Sequence, residues 1–438
     1  MEASPQTMDA PRQGFRLPAL QTLRRAFRVV ASYASLNILG RIVQMIGAFF
    51  IVRSLAKTEY AWYSLANNLV SALGMFTVTG IGTGLMPLAG EAARDRLRLG
   101  SVLASATRFR GSLLLVGSLA GIPVFVYLLL HSGCSVWKTT LLVGAALISV
   151  SMSIAAQMFS TPLSLARRYS IPQWENIMNS TLRLALLAVL VAWAMADAVT
   201  VMIVTVLAPL PTVFGWLLPK ARAHAAFEQQ PDPAATLRLK KHFLVGLPTS
   251  LTYLFEAQIA AIIVGFVGNI DKVADLGAIS RVSLILQVPL SIASGVLLPR
   301  MSAEHDPKRL WKMWTGSSLL ALLGGTVILA AGWFMREPLL RLLGPEYAGL
   351  QQELVFFLAF QVFAFVVTVA ATPIQSKGWV RHSWTRPLLV FGSQAIAACF
   401  LDLSTVNGAI ALMWAGSIGN LLLNTFLLIN GWRGRASL

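Results

Sequence analysis

Residues 139–159 read TTLLVGAALISVSMSIAAQMF, an uncharged run bounded by Lys138 before it and by Arg167 and Arg168 after it. At 1.5 Å of rise per residue, a helix of about 20 residues crosses a hydrocarbon layer roughly 30 Å thick, where no water can satisfy an open backbone. The run therefore reads as a transmembrane helix. The same pattern recurs near 29–52, 62–88, 111–131, 182–198 and 199–219, and again near 243–267, 275–299, 318–335, 351–375, 387–403 and 407–430. Composition agrees, because 56% of the 438 residues are hydrophobic and 12% are charged, with a mean hydropathy of +0.68. Soluble domains carry roughly 25% charged residues. The expected fold is all-α and integral to the membrane, with about 12 transmembrane helices in two six-helix parallel repeats around a central cavity.

The net charge of +17 invites a nucleic-acid reading, which the placement of the charges excludes. They lie between the apolar blocks. With twelve crossings the connections alternate sides, and most of the 35 Lys and Arg residues fall on one of them. The other side holds Arg53, Lys57, Lys138, Lys272, Arg281, Arg336 and Arg341, while Arg41 lies inside the first block. Positive charge collects in the cytoplasm, so both termini are expected there. The N-terminal segment has no short apolar core followed by small residues and does not read as a removable signal peptide. Cys134 and Cys399 are far apart, and His131 with Cys134 lacks further ligands, so neither a disulfide framework nor a metal site is implied.

The blocks divide the chain into a basic N-terminal segment (1–28), a six-helix lobe (29–219), a polar linker containing Pro231 and Pro233 (220–242), a second lobe (243–430) and a short tail (431–438). A fixed offset supports duplication. Ile51-Val52 matches Ile263-Val264 and Pro87 matches Pro299, both pairs 212 residues apart. Six helices per lobe give both halves one orientation.

Polar side chains avoid lipid, so polar stripes at helical spacing mark inward faces. Block one carries Asn37, Arg41 and Gln44, and block two carries Ser64, Asn68 and Ser71. Thr249, Thr252 and Glu256 form the stripe of block seven, and Ser283, Gln287, Ser291 and Ser294 that of block eight. Blocks three and five show none. The first two helices of each half are thus expected to line the cavity, where shared polar contacts between helices are the alternative role for any one stripe. Arg41 is too deep to reach water easily and needs an anion, water or a partner such as Glu256. Arg53 and Arg281 sit nearer the outer interface, where they can bind an anion or reach outward along their stems. Glu256, equally deep, is a candidate for ion coupling through a proton or Na⁺. No paired carboxylates, phosphate loop or Ser-His-Asp set appears, so no catalytic residue is nominated.

Three stretches resemble the polysaccharide flippases of the multidrug/oligosaccharidyl-lipid/polysaccharide exporter superfamily. They are Phe50-Ile51-Val52-Arg53-Ser54-Leu55-Ala56-Lys57-Thr58-Glu59-Tyr60-Ala61-Trp62-Tyr63-Ser64-Leu65, Gln287-Val288-Pro289 through Leu297-Leu298-Pro299-Arg300-Met301-Ser302, and Leu339-Leu340-Arg341-Leu342-Leu343-Gly344-Pro345-Glu346-Tyr347. The chain departs from the family pattern at Ala56 and Lys57, where glycine and proline are usual. The resemblance implies a monomeric, cofactor-free transporter in the bacterial inner membrane. It would flip undecaprenyl-diphosphate-linked oligosaccharides by alternating access, beside a polysaccharide polymerase and chain-length machinery. Arg41, Arg53 and Arg281 would meet the anionic head group, with Asn37, Gln44, Asn68 and Gln287 around it. A drug exporter of the same fold would instead need acidic and aromatic groups for organic cations.

Overall fold

The computed structural model describes residues 20–267, 269–293, 297–304, 306–379 and 383–436, and every regular element among them is helical. The N-terminal half is built from α1 (Leu20–Ser54), α2 (Lys57–Ala92), α3 (Arg96–His131), α4 (Val136–Leu165), α5 (Ser170–Ala192) and α6 (Ala198–Arg222). The C-terminal half has α7 (Pro233–Val267), α8 (Ile270–Ser291, resuming at Leu298–Ala303), α9 (Pro307–Phe334), α10 (Gln351–Lys377), α11 (Arg386–Ala398) and α12 (Val406–Ala436). Nine helices among the described residues are long and apolar enough to cross a membrane on their own. Within α7, Ser250–Glu256 and Gln258–Val267 pass the same test together, bent by 45°. Nine or ten crossings are thus shown; counting α2 and α11 as two more gives an up-and-down order of twelve, in which both ends of the chain share one side, called the terminal side.

Tight turns on the opposite side fix this order. Ser135 caps α4 by accepting from the Lys138 backbone N–H, and Gly133 makes the reversal after α3 at φ +81, a conformation that costs glycine little. Asp197 and Thr200 form a reciprocal capping box at the start of α6. Glu59 then ties three helices into one rim, accepting from Lys138 Nζ at 2.6 Å and from the Ala198 backbone N–H at 2.9 Å.

Several boundaries differ from the sequence reading. The helix of block five begins at Ser170 and ends at Ala192, instead of running near 182–198. Blocks three and nine likewise extend towards the terminal side, to Arg96 and Pro307, and α1 already begins at Leu20. The linker shortens to 223–232, since α6 continues to Arg222 and α7 starts at Pro233. In each case a charged helical end was counted as loop, because charge marks the edge of the hydrocarbon rather than the end of the helix. Residues 1–19 and Ser294, and the side chain of Thr249, lie outside what is described.

The two halves meet chiefly along α2. Tyr60, Leu65 and Leu69 on this helix are fully buried, and the apolar core around them continues from the N-terminal half into α7, α8, α10 and α12. Near the opposite side Gly277 of α8 packs on α2 so closely that a Cβ would sit 2.5 Å from Ser64 Oγ. Pro209 and Pro211 cannot donate to the α6 ladder, and the helix widens to a π-helical turn over Pro211–Leu217.

Candidate functional site

A cavity of about 210 Å³ lies where α1, α2, α5 and α8 converge. Its polar lining comes from Gln44, Tyr63, Asn67, Asn179, Ser180, Arg183 and Arg281. The two arginines belong to different halves. Arg183 lies midway along α5, and its Nη2 donates to the Tyr63 hydroxyl at 2.8 Å. Its Nε is buried without a hydrogen-bond partner. Arg281 occupies a 3₁₀ turn (Arg281–Ser283) that breaks α8, and its Nε donates to the Tyr60 hydroxyl at 3.2 Å. Tyr60 and Tyr63 are three apart in the first turns of α2, so one helix face holds both guanidinium groups. Among the described residues neither arginine pairs with a carboxylate, and no Asp or Glu lines the cavity. Two guanidinium groups that line one cavity without a carboxylate beside them offer donors suited to a multivalent anion.

A ladder of amides runs from the cavity towards the terminal side. Arg41 Nη1 donates to Gln44 Oε1 at 3.2 Å, and Gln44 Nε2 donates to Asn176 Oδ1 at 2.7 Å. One turn further, Asn37 Nδ2 donates to Gln173 Oε1 at 3.4 Å and accepts from Ser291 Oγ at 3.2 Å, which joins α8 to α1. Arg41 is thus satisfied in part by its own helix and does not contact Glu256.

The residues expected from sequence therefore separate. Gln44 and Arg281 line the cavity, while Arg41 and Asn37 stand below it on the ladder. Arg53 is exposed at the end of α1 and does not line it. Asn68 is half-buried one position past Asn67, which does face the space. Gln287 is half-buried two turns from Arg281, outside the lining. Glu256 does not line the cavity, and in the same half Arg386 Nη2 of α11 donates to Asn424 Oδ1 at 3.3 Å. The symmetric expectation of α1, α2, α7 and α8 as lining is thereby corrected: α5 takes the place of α7.

Sequence reasoning missed α5, whose stripe of Gln173, Asn176, Asn179, Ser180 and Arg183 holds the helical period. Placing the helix start near 182 cut the stripe away and left Arg183 at its very edge, among the positive charges counted on the cytoplasmic side. The other face of α5 carries Glu175, buried and accepting from the Thr212 hydroxyl of the π-helical turn at 2.9 Å.

Fold and cavity together define a multi-pass, all-α membrane protein of two six-helix halves that meet at a cationic pocket. Solved structures with the same fold come from the MATE transporters. An inward-facing multidrug resistance MATE family transporter of the MOP superfamily aligns with a TM-score of 0.66 at 14% identity, covering 92% of this chain and 94% of that one. The outward-facing conformation of such a transporter aligns at 0.61 and 17% identity, over 93% and 95% of the two chains. A Vibrio cholerae MATE transporter, VcmN, aligns at 0.61 and 14% identity, over 95% and 98%. No protein-family model and no curated protein matches the sequence.

Proposed function

We propose that the chain is a transporter that carries a lipid-borne, diphosphate-linked oligosaccharide across a bacterial inner membrane by alternating access, with both termini in the cytoplasm. The observation that carries this reading is that Arg183 and Arg281, one from each half, both line a cavity with no acidic lining. A diphosphate offers acceptor oxygens to both guanidinium forks, and the buried Arg183 Nε is a donor still to be used. The apolar chain of such a substrate is at home in the bilayer, so only the charged head needs the cavity. The fold supports a transport cycle, and the resemblance of Phe50 to Leu65, of Gln287 to Ser302 and of Leu339 to Tyr347 to flippase stretches supports the substrate class.

Multidrug export is the second reading, favoured by the fold likeness to multidrug MATE proteins. The charge opposes it, since paired arginines repel an organic cation. Proteoliposomes decide between them. With a fluorescent isoprenyl-diphosphate saccharide in the membrane, dithionite quenching is expected to show translocation that falls in an Arg183→Ala, Arg281→Ala variant. Translocation unaffected by that variant, or uptake of ethidium in place of the lipid, would overturn the proposal. Glu256 is assigned to ion coupling, acting through α7 at a distance from the head group. Glu256→Gln is expected to remove the dependence on a proton or Na⁺ gradient, and retention of that dependence removes Glu256 from the cycle.

A further inference from the structure

On the opposite side of the Arg183–Arg281 cavity the two halves close in layers. Asp275 of α8 is almost wholly buried, and its Oδ1 lies 2.8 Å from Nζ of Lys57, the first residue of α2. Lys272 Nζ stands 3.8 Å from the other oxygen. Lys57 also sits over the ring of Tyr347, 5.8 Å from its centroid. The edge of Tyr347 meets the ring of Tyr60 at 6.4 Å and 79°. Tyr60 is completely buried, one turn along α2 from Lys57, and its hydroxyl accepts from Arg281 Nε. One side chain thus touches the outer ion-pair layer with its ring and the cavity arginine with its oxygen.

We propose that Tyr60 couples occupancy of the cavity to release of the Lys57–Asp275 contact. This rests on the head-group reading of Arg281. A phosphate oxygen arriving beside Arg281 competes with a neutral phenol for the Nε–H and wins, because charge-assisted hydrogen bonds are roughly twice as strong. The phenol oxygen is then left in a buried place without its donor, an arrangement that favours moving the first turn of α2 away from α8. The ring of Tyr60 carries that movement to Tyr347, and so to Lys57. Tyr60 is a positioning residue in this scheme; it acts through Arg281 and does not touch the bound group.

Inorganic diphosphate is the probe, and two readouts separate the claims. Spin labels are placed at Val136→Cys and Glu346→Cys, one on each half at the opposite side, in full-length protein carrying Cys134→Ser and Cys399→Ser. Pulsed electron resonance gives the distance between them, and calorimetry gives diphosphate affinity. In the parent, diphosphate is expected to lengthen the distance. Tyr60→Phe removes both the competing acceptor and the phenol oxygen whose stranding drives the movement, so it is expected to bind diphosphate roughly twofold to tenfold more tightly and to keep its ligand-free distance when diphosphate binds. A merely damaged site would bind more weakly. Asp275→Asn is expected to lengthen the ligand-free distance and, because coupling is reciprocal, to tighten diphosphate binding. Binding that leaves the parent distance unchanged, or Tyr60→Phe behaving as the parent, overturns the coupling while the head-group reading stands. Failure of the parent to bind diphosphate overturns both.

Discussion

At the residue scale the account turns on guanidinium geometry. Arg183 gives Nη2 to Tyr63 and keeps a buried Nε free, and Arg281 gives Nε to Tyr60, the polar contact an arriving phosphate has to displace. A lysine at 183 would supply charge but not the fork. Arg183→Lys is therefore expected to weaken diphosphate binding by about 10-fold and Arg183→Ala by up to about 100-fold, in line with the loss of one or two charge-assisted hydrogen bonds. Titration of purified protein with diphosphate checks this, and equal affinities for the Lys variant and the parent would show that only charge matters. Arg281 was legible in the sequence because it stands in an apolar block. Arg183 was not, because Glu175 and Arg183 made residues 170–183 look like a loop, and only packing reveals that both are enclosed by neighbouring helices.

At the element scale, apolar blocks and the charges between them gave the order of the helices, whereas the rotation of each helix about its axis stayed out of reach. The stripe on α7 shows why. Thr252 returns its hydroxyl to the Pro248 carbonyl at 2.8 Å, and Glu256 does not line the cavity. A polar face needs a polar neighbour, and periodicity alone does not say which neighbour. Close backbone approaches were equally hidden. Gly100 of α3 lies directly under the linker, where the Ala226 N–H donates to the Arg96 carbonyl at 3.1 Å, and a Cβ at position 100 would run into the Ala226 carbonyl. Gly100→Ala is expected to lower stability by about 1–3 kcal/mol as the linker is pushed off α3. Loss of monodisperse protein on heating, followed by fluorescence-detected gel filtration, measures this; an unchanged midpoint would show that the linker is free to shift.

At the scale of the whole molecule, twelve crossings set both native cysteines on the side away from the termini, Cys134 in the turn after α3 and Cys399 at the end of α11. They differ in reactivity. Cys399 is exposed, whereas Cys134 is buried and burial pushes its thiol pKa up, leaving less thiolate at neutral pH. The proposed orientation, with the termini in the cytoplasm, predicts that an impermeant maleimide added to intact spheroplasts labels Cys399 and spares Cys134. Labelling that appears only after permeabilisation would reverse the orientation. The central claim is that a cationic cavity shared by the two halves holds the phosphate-bearing head of a lipid. Native mass spectrometry of protein released from its own membrane tests it most directly. A bound mass equal to an isoprenyl diphosphate carrying sugars, present in the parent and lost in the Arg183→Ala, Arg281→Ala variant, is the predicted result. The same lipid on both proteins, or none on the parent, would contradict it.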